Sequence, residues 1–190
     1  LTNNEFKDVG IHRIDLNIRT SERPKSAVLE RVWLDRYEAA PGETLRLKLF
    51  IKSYRGESRV EEIPFLAPNL PPGSEFNLVV ADTRSLRQVE LGQYRTSGIV
   101  PRSLEQLVRL LNNLRKNNRV YFKIVAARPG LFLRGEEMPN LTPAMKSLFA
   151  SPRAAATAPV EISVSTLREY QMPVPFAFEG LAVIPLKIRN

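Results

Sequence analysis

The chain has no cysteine among its 190 residues and a single histidine, His12. Without thiols it forms no disulfide, no cysteine-ligated zinc centre and no thiol nucleophile. With one imidazole, any Ser-His-Asp arrangement has to use His12 as its general base. That residue sits beside Arg13 and Asp15 inside an alternating pattern and reads as a bulge or surface residue. One histidine and no cysteine also leave too few ligands for zinc, and no D-x-D-x-D-G loop is present for calcium. Neither G-x-G-x-x-G nor G-x-x-x-x-G-K-[ST] occurs, so the usual phosphate cradles are missing and no nucleotide cofactor is expected. No apolar run approaches the roughly 20 residues that cross a bilayer, because Lys or Arg interrupts nearly all of them. The segment Leu1 to Lys7 is polar, so no signal peptide is expected within these residues.

Hydrophobic residues make up 43% and charged residues 25%, which argues against a disordered chain and for a globular one of about a single domain. The net charge of +8 suits an anionic partner. Its distribution points elsewhere: basic residues run from Arg13 to Arg189 and alternate with apolar ones or sit beside Glu, as in Arg59, Glu61 and Glu62. Such alternation is that of half-buried antiparallel strands with one solvated face.

Period-two patterning dominates the first third. Leu45, Leu47, Leu49 and Ile51 alternate with Arg46, Lys48, Phe50 and Lys52, giving one face in and one mostly out. Ile14, Leu16 and Ile18 form one stripe with Val9 and Ile11 in the opposite phase, which predicts strands joined by a bulge near His12 and Arg13. Ala27 to Tyr37 is apolar in both phases and reads as a central strand covered on both sides. Pro41 and Gly42 predict a turn, Arg55 to Glu57 a reversal, and the proline-rich stretch Ala67 to Gly73 an extended connection. Phe76 to Ala81 and Arg119 to Ala126 read as strands, and so do the alternations at Val160, Ile162 and Val164 and at Ile184, Leu186 and Ile188. Thr83 to Val100, charged and interrupted by Gly92 and Gly98, reads as an edge strand with loops.

One amphipathic helix is predicted over about residues 103–116. Ser103 and Gln106 have capping-box spacing, and Leu104, Leu107, Val108, Leu111 and Leu114 make the stripe. Asn117 and Asn118 suit its left-handed close. The strand–helix–strand order between Phe76 and Ala126 suggests a crossover. A short second helix over about 143–149 follows from Thr142 and Pro143, with Met145, Leu148 and Phe149 as its apolar side. Ser151 to Pro159 reads as a flexible link. The fold class is mainly β, an immunoglobulin-like β-sandwich, organised as one domain over 1–190 with residues 67–158 open to reading as an inserted strand–helix–strand lobe.

Several stretches together resemble a family: the C-terminal portions of large bacterial proteins whose N-terminal part is similar to the SpoIVB-like serine peptidases. They are VWLDRYEAAPGETLRLKLFIKSY from Val32 to Tyr54 with Arg55, Gly56 and Glu57, LPPGSEFNLVVAD from Leu70 to Asp82, PRSLEQLVRLLNNLRKNNRVYFKI from Pro101 to Ile124, and the closing FEGLAVIPLKI. The resemblance implies a β-rich, non-peptidase, interaction or scaffolding region of an exported or envelope-associated protein, partnered by another domain of its parent or by an envelope protein. It transfers no catalytic position. The alternative it leaves open is a hydrolase fragment whose catalytic residues lie outside these 190.

The remaining constellations read blandly. Ser53 with Lys52 and Ser147 with Lys146 are adjacent pairs without the local sequence of a strained nucleophile. Glu61 with Glu62 and Glu136 with Glu137 place neighbours on opposite strand faces or in solvated loops rather than across a glycosidic bond. The densest basic run, Arg115, Lys116, Arg119 and Lys123 with Tyr121 and Phe122 between, has the composition of a polyanion-binding surface. Phe122 shares the stripe of Val120 and Ile124 and belongs to the core, so a solvated helix end favoured by the helix dipole is the competing reading and nucleic acid is not the expected partner.

Overall fold

The computed structural model describes residues 4–18, 20, 22, 25–54, 56, 58–94, 101, 103–112, 114–133, 136–150 and 159–190, without the side chains of 146 and 150. It is a mostly β-strand protein with a few short helices. In chain order the elements are β1 (Ser26–Leu34), β2 (Glu38–Ala39), β3 (Thr44–Ser53), β4 (Ser58–Leu66), β5 (Glu75–Ala81), α1 (Thr83–Tyr94), α2 (Leu104–Asn112), β6 (Arg119–Ala126), β7 (Gly130–Leu133), β8 (Glu136–Pro139), α3 (Pro143–Ala150), β9 (Val160–Ile162), β10 (Ser165–Pro173), β11 (Ala177–Glu179) and β12 (Leu181–Ile188).

Three sheets result, ordered β11-β1-β3-β4, β10-β6-β5-β12-β2 and β8-β7-β9. Pairing is antiparallel except where β11 joins β1 and β2 joins β12. The first two sheets share one core. Leu45, Leu47, Leu49 and Ile51 of β3 are at most 1% exposed and meet Phe76, Leu78 and Val80 of β5, Val120, Phe122 and Ile124 of β6, and Ile184, Leu186 and Ile188 of β12. The period-two stripes thus do what their spacing dictates, each putting alternate residues into a common apolar layer that drives the sheets together.

The turns follow from backbone chemistry. Gly42 has φ 74°, and the N–H of Glu43 returns to the carbonyl of Ala40 at 3.0 Å. Gly180 has φ 144°, and a Cβ there would lie 2.5 Å from Cβ of Leu29, so two elements approach through the missing side chain. Gly56, at φ 87°, turns the chain between β3 and β4; Arg55 and Glu57 of that reversal lie outside the described residues, as does Ser151–Ala158 of the expected flexible link.

Several readings are corrected. Residues 4–18 contain no strand, and Ile14, Leu16 and Ile18 stand 70–81% exposed, so no bulge forms at His12. Alternation defines a face, but a strand also needs a neighbour for its N–H and C=O groups, and none is present among the described residues. The strand expected over 27–37 is β1, ending at Leu34; it pairs on both edges yet is covered on one face alone, with Val28 51% and Trp33 43% exposed. Residues 83–94 are a helix rather than an edge strand. β5 and β6 are antiparallel neighbours in the five-stranded sheet, so the helices between them are a connection on its face and not a crossover between parallel strands. The predicted helix 103–116 ends at Asn112, and Asn117 and Asn118 form a turn with no positive φ, their carbonyls accepting from Phe178 and Val174 at 3.0 Å. α2 buries none of its residues completely, and α3 leaves Met145 and Leu148 exposed, so both helices carry apolar faces that no element among the described residues fully covers.

Candidate functional site

The outer face of the five-stranded sheet, opposite the shared core, is where polar groups gather. Along β6 the core takes Val120, Phe122 and Ile124; the intervening Arg119, Tyr121, Lys123 and Val125 point the other way. α1 lies over this face. It begins at Asp82, whose carboxylate accepts from the N–H of Arg84 at 2.6 Å, the N–H of Ser85 at 2.9 Å, the Ser85 hydroxyl at 2.6 Å and the N–H of Gly180 at 2.8 Å. An aspartate in this place satisfies the orphan donors of a first turn. Those hydrogen bonds outweigh the desolvation that would raise its pKa and hold it below the ordinary value. From this start Leu86, Glu90 and Tyr94 recur at intervals of four, so one stripe faces the sheet: Leu86 packs on Val79, Tyr121 and Val125, and the other two residues deliver polar atoms.

Lys123 is 2% exposed and makes the centre of the network. Its ammonium donates to Glu90 Oε1 at 2.8 Å and to the Tyr94 hydroxyl at 3.0 Å. Arg115 meets the same Glu90 through two nitrogens, at 2.5 and 2.9 Å, and donates to Glu169 of β10 at 2.8 Å. The Tyr94 hydroxyl donates to Glu137 of β8, and Glu137 also accepts from the N–H and the hydroxyl of Thr166 on β10, both at 2.6 Å. Tyr94 stacks on Phe132 with centroids 4.2 Å apart, and the Arg115 guanidinium lies 5.5 Å from the centre of the Tyr121 ring. α1, the five-stranded sheet, the three-stranded sheet and the segment before β6 are thereby tied through one set of charges.

The environment sets each protonation state. For Glu90, burial pushes the pKa up, but hydrogen bonds from Arg115 and Lys123 overcome it and leave it lowered. Burial pushes Lys123 down, yet its bonds to Glu90 and Tyr94 win and raise it. Tyr94 is raised by burial and by its bond to Glu137. Arg115 is raised, the two glutamates outweighing its desolvation.

Beside this network opens a cavity of about 1110 Å³. Four residues singled out by the sequence, Arg115, Lys116, Arg119 and Lys123, all line it. They divide into two kinds. Arg115 and Lys123 are spent on carboxylates, so Lys123 belongs to the interior and not to a solvated helix end. Lys116 and Arg119 have no carboxylate partner among the described residues, and neither has Arg87 on the same cavity. Sequence reading missed Arg87, Glu90 and Tyr94 because it placed no helix there, although the spacing of Asp82 to Ser85 and of Leu86, Glu90 and Tyr94 carries the signal. It also placed Glu137 in a solvated setting, whereas the side chain is 15% exposed on a strand.

The other candidates stay apart from this site. His12 is exposed within the coil of residues 4–18. Lys52 pairs with Glu30 at 3.5 Å, Glu61 pairs with Arg59, and Glu62 faces Arg46 at 3.5 Å and Lys48 at 3.9 Å. Among the described residues, no group of three or more His, Cys, Asp or Glu side chains is placed to hold a metal ion, and no helix is long and apolar enough to cross a membrane. No protein-family profile, no curated protein and no solved structure matches this chain.

Proposed function

We propose that the chain is a non-catalytic interaction module of a larger extracytoplasmic protein, built as an immunoglobulin-like β-sandwich and packing against another domain of its parent or an envelope protein. The sandwich is supported by two sheets that share one core. The setting rests on the resemblance of residues 32–54, 70–82 and 101–124 to the non-peptidase regions described above.

One observation carries the non-catalytic reading: the resolved pKa shifts in the network move away from neutrality. A general acid or base works best with a pKa near the operating pH, and a lysine or tyrosine nucleophile needs a lowered one. Here Glu90 is lowered while Lys123, Tyr94 and Arg115 are raised. Such shifts keep the carboxylate ionised and the lysine protonated over a wider pH range, which is what an ion-paired scaffold requires.

The test is to incubate the purified chain with casein and generic peptide substrates, beside His12→Ala, Tyr94→Phe and Lys123→Met variants. Background turnover in all four supports the module. A reproducible rate that vanishes in any of the three variants overturns it.

A further inference from the structure

We propose that the cavity flanked by α1 and α2 docks an acidic peptide segment carrying apolar side chains between its carboxylates. The proposal rests on the interaction-module reading and names the chemistry of the partner.

Charge comes first. Within the cavity Arg115 and Lys123 are matched by Glu90, Glu137 and Glu169, so that group already has more carboxylates than cations. The attraction for an anion therefore lies with Arg87, Lys116 and Arg119, which have no carboxylate partner among the described residues. Free cations at a concave site attract anions at longer range than the same charges on a flat surface, because the low-dielectric walls focus the field.

Apolar surface is the second element. Leu91, Leu110 and Leu114 line the same cavity, and Leu114 is 64% exposed. α2, which supplies Leu110, also leaves Val108 and Leu111 each 38% exposed on its own surface. A helix with this degree of amphipathicity ordinarily buries its stripe, and a partner that brings apolar side chains covers it. A volume of about 1110 Å³ holds several side chains and far exceeds what a single ion needs.

Backbone supply is the third. β10 ends the order of its sheet, pairing with β6 alone among the described residues; the N–H of Thr166 is taken by Glu137, and Glu169 and Gln171 further along β10 line the cavity. An extended peptide gains main-chain hydrogen bonds from such an edge. Nucleic acid fits less well. Single strands bind by stacking bases on free ring faces, but Tyr94 is stacked on Phe132 and Tyr121 carries the Arg115 guanidinium.

The experiment is fluorescence anisotropy on the full chain with four labelled probes: an acidic peptide alternating Glu or Asp with Phe or Leu, its Ser-substituted counterpart, the same pattern with Lys for the acids, and a single-stranded oligonucleotide. The first probe is expected to bind. Removing its apolar residues or reversing its charges should weaken binding at least about tenfold, as should the double charge reversal Lys116→Glu with Arg119→Glu in the protein. Thermal melts check that this variant folds, and Arg87→Glu, on an exposed position of α1, repeats the test independently. No binding of the first probe, equal binding of the Ser or Lys peptide, tighter binding of the oligonucleotide, or indifference of folded variants to charge reversal overturns the proposal.

Discussion

Lys123 shows how many interactions can converge on a single buried side chain. Its ammonium has left water and is compensated by Glu90 and the Tyr94 hydroxyl. Replacing it by methionine keeps the bulk but strands Glu90 with Arg115 alone. Breaking a buried pair from one side costs about 3 kcal/mol, and urea unfolding of Lys123→Met should show a loss of that size. pH separates this variant from an ordinary core change. Glu90 is held below its ordinary 4.5, so its share of stability is present above that pH and is lost as pH falls through the lower folded value. Lys123 is held above its ordinary 10.5, so its share is complete below that pH and is lost as pH rises through the higher folded value. Stability should be flat between these limits and fall outside them. In Lys123→Met the alkaline limb should become shallower, not vanish, since Tyr94 is raised and burial pushes Tyr170 up to about 12. An alkaline limb of unchanged steepness would contradict the role of Lys123.

Helix termini make the corresponding case for elements. Asp82 caps α1 and also takes the N–H of Gly180, joining the helix start to the turn before β12. Ser103 caps α2 by accepting from the N–H of Gln106 at 3.2 Å, on a helix with no fully buried residue among those described. Asp82→Ala should therefore cost about 2 kcal/mol, the top of the usual range for a cap, and Ser103→Ala about 0.5. Chemical denaturation of the two variants checks the order as well as the sizes. The same two helices mark what was legible in the sequence. α2 was plain because its leucines are undiluted. α1 was hidden because its stripe holds Glu90 and Tyr94 in place of two apolar residues, and Gly92 sits in its last turn. The residues that make the candidate site are thus the ones that erased the pattern. β10 was missed for a related reason, since an edge strand with Arg168, Glu169 and Gln171 in succession lacks clean alternation. The stripe at Ile14, Leu16 and Ile18 misled in the opposite direction, supplying the alternation without a neighbouring strand.

At the scale of the whole molecule the strands of the core were readable, but how they pair was not, because which edges meet depends on shapes and registers far apart in sequence. The structure's division into layers carries a prediction of its own. The first two sheets share one continuous core and should open together. The three-stranded sheet leans on a much smaller cluster, Tyr94, Phe132 and Ile162, and on Glu137, which binds Tyr94 of α1 and Thr166 of β10 at once. Regions with few buried apolar contacts open at lower free energy than the global transition, so β7, β8 and β9 should exchange amide hydrogens before β3, β5 and β6 do. Glu137→Gln keeps the shape of the side chain and removes its charge, weakening the bonds from both partners. Its effect should be confined: faster exchange in β7 to β9 and at Thr166, with protection in β3 and β5 nearly unchanged, when followed by hydrogen–deuterium exchange. Uniform acceleration across all three sheets would mean instead that the small sheet is an inseparable part of the main core, and that Glu137 stabilises the molecule as a single cooperative unit.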